Sequence, residues 1–208
     1  MEERGEPMLR IHGSARSRGL RTLWIVGELG LTYEHDDLLP RSPGTRTPEY
    51  LALNPNGRVP TVEDDGFVLS ESMAINLYLA KKHHSPLYPS DPRDEALCWQ
   101  WSFWETDRLD RQIVNYANHS TGLPEAERKP EIAAAAWAEM VPAFNVLDGA
   151  LARSGWLVGN AFSIADLNVA AALYRGLSLD LARWPRVKSW LAVCWDRPAA
   201  KRARAMRE

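Results

Sequence analysis

The chain has 208 residues, 45% of them hydrophobic and 25% charged, a balance typical of soluble globular domains. Its net charge of −2 gives no argument for nucleic-acid binding, and no apolar run approaches the length of a membrane span. Residues 1–7 are charged rather than apolar, so we expect no secretory signal and a cytoplasmic protein of one or two domains.

The first predicted elements are a strand, a turn and a helix. Residues 8–12 are typical of a strand, and residues 13–17 form the turn after it. The following helix has apolar side chains at helical spacing and ends near Gly30, because glycine is a natural helix stop. A second strand is predicted over residues 33–38, and a long loop follows it.

Residues 54–72 contain the most informative local pattern. Proline at position 60 has no N–H and pushes Val59 towards an extended conformation. Val59 can then offer its backbone N–H and C=O to a ligand that lies alongside as an extra strand. Two short strands joined by the turn at residues 64–66 come next, and Ser70 is predicted to be the N-cap of a helix.

The start of that helix suits an anionic ligand. With Ser70 as the cap, Glu71 and Ser72 fall in the first turn, where backbone N–H groups lack intrahelical partners. A carboxylate bound there gains those donors, the Ser72 hydroxyl and the favourable end of the helix dipole. Glu71 can pair with an ammonium group of the same ligand. The pattern favours a ligand with a free α-amino acid end, although an ordinary helix start also explains Ser-Glu-Ser taken alone.

The second half of the chain has a different character. Three prolines between residues 86 and 92 indicate a linker, so we assign residues 8–86 to a first domain, 87–91 to the linker and 92–206 to a helical domain. Eight of the nine tryptophans lie beyond residue 98, which indicates a separate bulky core.

Long helices dominate this half. They are predicted over residues 91–119 and 124–153, with Pro130 and Pro142 as possible breaks or kinks. A further helix starts at Ser163 and Asp166, which are spaced as in a capping box. We assign this pair a structural role.

Three segments together resemble the glutathione S-transferase family, in particular its cytosolic, serine-type and bacterial-like members. They are Asn-Pro-Asn-Gly-Arg-Val-Pro at 54–60, the Glu-Ser pair at 71–72, and Gly-Ser-Ala-Arg-Ser-Arg-Gly-Leu-Arg-Thr-Leu-Trp at 13–24. The resemblance covers about residues 8–204. It implies a thioredoxin-like α/β domain with a mixed four-stranded sheet, an all-α C-terminal domain, a homodimer and a cis bond before Pro60.

One position departs from the family pattern. Gly27 stands where relatives often carry the first of two glutamates. A glycine inside a helix weakens it by about 1 kcal/mol relative to alanine, unless the missing side chain allows close packing.

The resemblance implies that glutathione is the co-substrate and that a serine in the first turn activates its thiol. A free cysteine thiol has a pKa of about 8.5, and only the thiolate is a strong nucleophile. A hydroxyl at a helix N-terminus supplies a hydrogen-bond donor and positive potential. Ser14 matches the serine of plant-type and insect-type members, whereas some bacterial relatives favour Ser17. Either serine could instead only cap the helix.

The resemblance also implies which residues bind the rest of the glutathione molecule. Val59 with Pro60 would pair with the cysteinyl backbone, and Glu71 with Ser72 would hold the γ-glutamyl end. Arg46 or Arg58 would reach the glycyl carboxylate. A hydrophobic electrophile would bind between the domains, and the candidates there are Trp101, Trp104, Arg108, Tyr116 and His119.

Other uses of the same site stay open at this point. Isomerase, dehalogenase or peroxidase chemistry would use the same glutathione site, and a non-catalytic binding module would keep only the fold. No Cys-x-x-Cys follows the first strand, so disulfide exchange through a protein thiol lacks its nucleophile. Cys98 and Cys194 are expected to be core residues, and no metal site is predicted.

Overall fold

The computed structural model describes residues 9–208, so Met8 of the predicted first strand lies outside the described residues. The first stretch contains β1 (Leu9–His12), α1 (Gly19–Leu29), β2 (Glu34–Asp36), α2 (Pro48–Leu53), β3 (Thr61–Asp64), β4 (Phe67–Ser70) and α3 (Ser72–Lys82). The remainder contains α4 (Pro92–Arg108), α5 (Asp110–Ala117), α6 (Pro130–Leu151), α7 (Ile164–Ala172), α8 (Pro185–Asp196) and α9 (Pro198–Ala205).

These elements form two compact units. The first comprises the chain up to Tyr88 together with Arg197–Glu208, and the second comprises Pro89–Asp196. The domain boundaries predicted from the sequence placed residues up to 206 in the helical domain. The contacts instead group α9 with the first unit, because α9 packs on α1.

The first unit is built on a mixed four-stranded sheet with the order β2-β1-β3-β4. β1 runs parallel to β2 and antiparallel to β3, which is antiparallel to β4. Alternate side chains face the core: Ile11 pairs with Val62, and both are fully buried. The second unit contains only helices and short helical turns. The predicted fold class is confirmed in both parts.

Several element boundaries differ from the prediction. β2 is shorter than residues 33–38, and α2 occupies part of the predicted loop. The long helix predicted over residues 91–119 divides at Leu109, whose φ of −117° departs from helical geometry. Pro130 is the first residue of α6, where a missing N–H is harmless, whereas Pro142 lies inside that helix.

The predicted cap of α3 is wrong. Ser70 is the last residue of β4, where it pairs with Thr61. Since Ser70 belongs to the sheet, the chain must turn into the helix within one residue. Glu71 makes that turn with a φ of 72°, a value that non-glycine residues rarely adopt.

The packing of α9 on α1 explains the glycine that departs from the family pattern. A Cβ at Gly27 would lie 3.2 Å from the Cβ of Ala199, closer than an ordinary van der Waals contact. Beside it, the Arg197 guanidinium donates to both carboxylate oxygens of Glu28 at 2.7 Å each. Trp24 Nε1 donates to the same carboxylate at 2.9 Å. Gly27 thus allows close approach of the two helices.

Helices α4 to α8 enclose the core of the second unit. Its fully buried side chains include Leu109, Met140, Phe144 and Leu167. In the described part of the chain, no helix is both long and apolar enough to cross a membrane. Within the same residues, no group of three or more His, Cys, Asp or Glu side chains is placed to hold a metal ion.

Candidate active site

The turn between β1 and α1 holds two serines in different hydrogen-bonding states. Ser14 is buried, its N–H donates to the Leu38 carbonyl at 2.9 Å, and its hydroxyl oxygen accepts the Arg16 N–H at 3.2 Å. Ser17 donates its hydroxyl hydrogen to the Ser14 carbonyl at 2.7 Å and accepts the Gly19 N–H at 2.9 Å. Within residues 9–208, no group accepts the Ser14 hydroxyl hydrogen. The Ser17 hydroxyl therefore uses both its hydrogen and its oxygen within this turn, whereas the Ser14 hydroxyl hydrogen is left for a ligand to accept.

Two glycines bring the backbone close to this turn. A Cβ at Gly19 would lie 2.6 Å from the Gly13 carbonyl oxygen and 2.7 Å from that of Ser14. Gly13 has a φ of 140°, and a Cβ there would lie 3.1 Å from the Cβ of Val59. The turn that carries Ser14 is thereby packed against the loop that carries Val59.

The Val59-Pro60 segment presents unused backbone groups. The cis bond before Pro60 that the resemblance implies is present. In the region that the structure describes, the N–H and C=O of Val59 have no hydrogen-bond partner. Two side chains fix the position of this loop. The Tyr50 hydroxyl and Asn54 Nδ2 both donate to the Arg58 carbonyl, at 2.6 and 2.9 Å. Burial raises the pKa of Tyr50, which keeps its hydroxyl protonated as the donor.

Two arginines are predicted to reach a carboxylate of the ligand: Arg58 follows Gly57 in the chain, and the guanidinium of Arg46 lies near Gly57. Both Arg46 and Arg58 are exposed. A Cβ at Gly57, whose φ is 56°, would lie 2.6 Å from Nη1 of Arg46. The Arg46 guanidinium therefore lies against the backbone of the loop that leads into Val59.

Helix α3 begins without a side-chain cap. Glu71 is exposed and makes no capping hydrogen bond. The Ile75 N–H donates to the Glu71 carbonyl at 2.9 Å, and the N–H groups of residues 72–74 have no acceptor among residues 9–208. Ser72 is buried, and its hydroxyl oxygen accepts a hydrogen bond from Nη1 of Arg21 at 3.3 Å. This helix start is open to an anionic ligand.

The predicted electrophile residues all belong to the second unit. The rings of Trp104 and Trp101 meet edge to face, with their centroids 4.9 Å apart, and Arg108 pairs with the neighbouring aspartate at 2.9 Å. The Tyr116 ring packs on Trp137 with the centroids 5.4 Å apart. A cleft of about 450 Å³ in this unit is lined by other residues: Leu151, Gly155, Trp156, Pro185, Arg186, Ser189, Trp190 and Val193.

The start of α7 differs from that of α3. We call the start of α7 closed, because its carboxylate is hydrogen-bonded to the surrounding protein, and the start of α3 open, because its carboxylate is exposed and makes no cap. The carboxylate of Asp166 accepts the Ser163 N–H at 2.9 Å and the Ser163 hydroxyl at 2.8 Å. It also accepts the Leu157 N–H at 3.0 Å and Trp190 Nε1 at 2.8 Å. Burial raises the pKa of Asp166, and these hydrogen bonds oppose that shift. The geometry is that of a capping box with a structural role.

Comparison with known proteins decides the family. The N-terminal domain of glutathione S-transferases matches residues 17–82, and their C-terminal domain matches residues 110–198. A theta class glutathione S-transferase from Xanthomonas axonopodis pv. citri, solved with glutathione bound, is 34% identical and superimposes with a TM-score of 0.88. That alignment covers 95% of this chain and 97% of the Xanthomonas chain.

The chain belongs to the glutathione S-transferase family. Glutathione S-transferase GstB of Escherichia coli strain K12 is 29% identical over 202 residues, covering 94% of this chain and 97% of GstB. Glutathione S-transferase D7 of Drosophila melanogaster is 31% identical over 154 residues. The latter match covers 69% of this chain and slightly less than two thirds, 64%, of the Drosophila protein. The family resemblance seen in the sequence is confirmed.

The glutathione S-transferase fold brings together part of the predicted site. Ser14 and Val59 lie on adjoining turns, and Glu71 and Ser72 open α3 in the same unit. Arg21 was not singled out from the sequence, although it lies among apolar positions of α1. An arginine that is only 4% exposed on such a helix face is unusual and signals a specific partner.

Proposed function

We propose that the protein is a glutathione transferase that converts the thiol of glutathione to a thiolate for attack on a small hydrophobic electrophile. Membership of the family supports the transferase function, as do the curated relatives that carry the name. The Xanthomonas relative was solved with glutathione bound, which supports glutathione as the co-substrate.

One observation carries this proposal. Among residues 9–208, three sets of polar groups in the first unit lack partners: the Ser14 hydroxyl hydrogen, the N–H and C=O of Val59, and the N–H groups of residues 72–74. They match the thiolate, the cysteinyl backbone and the γ-glutamyl carboxylate of one glutathione molecule. Ser14, Val59 and Ser72 are buried, and buried polar groups are otherwise almost always hydrogen-bonded in proteins, so such a set favours a ligand.

The chemistry assigned to Ser14 is a hydrogen bond to sulfur. Its hydroxyl stabilises the thiolate, and the thiol proton passes to solvent. The sulfur then forms a bond to an electrophilic carbon, and the leaving group departs with its electron pair. Each unit by which the thiol pKa falls corresponds to about 1.4 kcal/mol in favour of the thiolate. We assign Ser17 to capping α1, because its hydroxyl already donates one hydrogen bond and accepts another.

The two charged ends of glutathione are assigned to other charged and polar groups of the first unit. Ser72 and the first N–H groups of α3 would bind the γ-glutamyl carboxylate, and exposed Glu71 would pair with its ammonium group. Arg46 or Arg58 would bind the glycyl carboxylate, and the contact of Arg46 with the Gly57 backbone favours Arg46.

The second substrate is assigned to side chains of the second unit. We propose that Trp104, Arg108 and Tyr116 contribute to binding of the electrophile, since two of them offer aromatic surface and Arg108 is exposed. The electrophile is accordingly expected to be small and aromatic or otherwise hydrophobic.

A homodimer in the cytoplasm is the proposed state of the protein. Trp99 and Phe103 lie one turn apart on α4 and are 43% and 70% exposed, and Phe67 on β4 is 49% exposed. Aromatic side chains this exposed are favoured at protein interfaces. The two cysteines are buried and are not joined in a disulfide, as expected of a chain in a reducing compartment.

Calorimetric titration of glutathione tests the proposal. Wild type, Ser14→Ala, Ser17→Ala and Ser72→Ala are compared, and the ultraviolet absorbance of the bound thiolate is followed against pH. We expect wild type to bind, Ser72→Ala to bind more weakly, and Ser14→Ala to bind with the thiol still protonated near neutral pH.

Three results would change the proposal. A thiolate that survives Ser14→Ala but not Ser17→Ala keeps the chemistry and transfers the role to Ser17. Absence of glutathione binding by wild type contradicts an enzymatic function that uses glutathione, and it leaves a transferase fold used as a scaffold. Binding without transfer to any aromatic electrophile would point to another use of glutathione.

A further inference from the structure

Arg21 is a buried cation next to the open start of α3. Its side chain is almost fully enclosed, with 4% of the residue exposed. Burying an arginine is costly unless its charge and its donors are satisfied. One of these donors, Nη1, bonds to the Ser72 hydroxyl oxygen. Removal of Arg21 would therefore change the surroundings of Ser72.

The backbone of Arg21 is tied to the same helix. Asn76 Nδ2 donates to the Arg21 carbonyl at 3.3 Å, one turn along α3 from Ser72. The pair of hydrogen bonds fixes α1 against the first turn of α3. The guanidinium is consequently held at the helix start that carries the unpaired N–H groups.

The bond from Arg21 orients the Ser72 hydroxyl. Since its oxygen accepts from a cation, the hydroxyl directs its own hydrogen elsewhere, and within the described residues nothing accepts that hydrogen. A hydroxyl polarised by a guanidinium is a stronger donor to an anion.

Glu71 supplies the opposite charge at the same helix start. It is exposed, whereas Arg21 is buried. A buried cation and an exposed anion at one helix start match a zwitterionic α-amino acid group, with its carboxylate near Ser72 and its ammonium near Glu71. Neither a simple carboxylate nor a simple amine would use both.

We propose that Arg21 is a positioning residue that acts through Ser72 and sets the selectivity of this site for the α-carboxylate of the ligand. The inference rests on the proposed function and deepens it by naming the residue that determines recognition of the γ-glutamyl end. Arg21 does not touch the sulfur, and its replacement leaves the activation of the thiol by Ser14 in place.

A comparison of two ligands tests this role. One is glutathione, and the other is γ-aminobutyryl-cysteinyl-glycine, which lacks only the α-carboxylate. Calorimetry gives the ratio of their affinities for wild type, Arg21→Gln, Ser72→Ala and the double variant. Arg10→Gln is the matched control, because it removes the same charge from the exposed side of β1 in the same unit.

We expect wild type to prefer glutathione by at least about tenfold, as charge-assisted hydrogen bonds to a carboxylate predict. Arg21→Gln should reduce that preference about tenfold without changing the affinity for the analogue, and Arg10→Gln should leave it unchanged. The double variant should lose no more preference than Ser72→Ala alone, because Arg21 acts through Ser72.

Other outcomes separate the two proposals. If wild type binds glutathione and Arg21→Gln weakens both ligands equally, Arg21 is only structural and the inference is overturned. If wild type does not bind glutathione at all, the proposed function fails, and the inference fails with it. Should Arg21→Gln not fold, Arg21→Lys is measured instead: a reduced preference supports the role, and an unchanged one contradicts it.

Discussion

Helices α3 and α7 both begin beside a serine and a carboxylate, yet the two helix starts are built for opposite purposes. At α7, four donors converge on the buried carboxylate of Asp166. At α3, Glu71 is exposed and caps nothing, and the first N–H groups are left open. The same residue types serve folding when the carboxylate turns back onto the backbone. Under the proposed function, they serve binding when it does not.

The electrostatic consequences of the two starts also differ. Burial raises the pKa of Asp166 and raises that of Cys98, which contacts the Ala165 backbone at the start of α7, to about 12. A thiol at an exposed helix N-terminus would have a lowered pKa instead. Desolvation outweighs the hydrogen bonds that would lower the pKa of these two groups at the closed start.

The largest expected effect is at the closed start. Asp166→Ala leaves three buried N–H donors without acceptors, so we expect the unfolding free energy to fall by about 3–5 kcal/mol. Urea unfolding followed by tryptophan fluorescence measures the loss. Ser163→Ala is the matched control and should cost about 1 kcal/mol. A loss below that for Asp166→Ala would mean that the cap contributes little to folding.

The open start should respond in affinity more than in stability. Ser72→Ala removes one donor to the ligand carboxylate, and we expect glutathione to bind about tenfold more weakly. Calorimetry measures the affinity, and urea unfolding measures the loss of unfolding free energy, which we expect to be about 1–3 kcal/mol because Nη1 of buried Arg21 loses the Ser72 hydroxyl. Equal affinity in wild type and variant would show that α3 holds no carboxylate.

Substitutions at Glu71 test whether its positive φ strains the backbone at the start of α3. Its φ of 72° suits glycine, so Glu71→Gly should raise the unfolding free energy by about 0.5–1 kcal/mol while weakening glutathione binding. Glu71→Gln keeps the strain and removes the charge, so it should weaken binding with little change in stability. A destabilised Glu71→Gly variant would contradict the strain.

The smallest expected effect concerns Cys98. Burial raises the pKa of the Cys98 thiol from 9.0 to about 12, so the thiol stays protonated at pH 8. This group favours the folded state fully below pH 9, and the contribution is lost as the pH rises through 12. A thiol reagent at pH 8 should react with Cys98 only after denaturation. Rapid reaction in the native protein would show that the start of α7 is open.

The sequence predicts the fold of both units, and its predictions for the site residues depend on local signals. Val59-Pro60 and the Glu71-Ser72 pair lie close together in the chain, and turn and cap residues act over a few positions. The cap of α3 was assigned to Ser70 because serine is a good N-cap, but pairing of β4 with β3 takes that residue into the sheet. Tertiary structure overrode a local preference there.

Longer-range relations could not be predicted in this way. The bond from Arg21 to Ser72 joins positions 51 residues apart, and the packing of α9 on α1 joins still more distant ones. The assignment of Ser14 rather than Ser17 depends on which hydroxyl is already bonded, and only coordinates supply that. Spacing on a helix cannot tell a pocket aromatic from a core aromatic.

The packing of α9 on α1 has a consequence for synthesis. A ribosome that has made β1 through α3 has made every strand of the sheet, but neither Arg197, which pairs with Glu28, nor the helix α9 that packs against Gly27. The whole second unit is translated before α9. The first unit is therefore the first to begin folding and the last to be completed, and a nascent chain carries the α9-binding face of α1 uncovered until then.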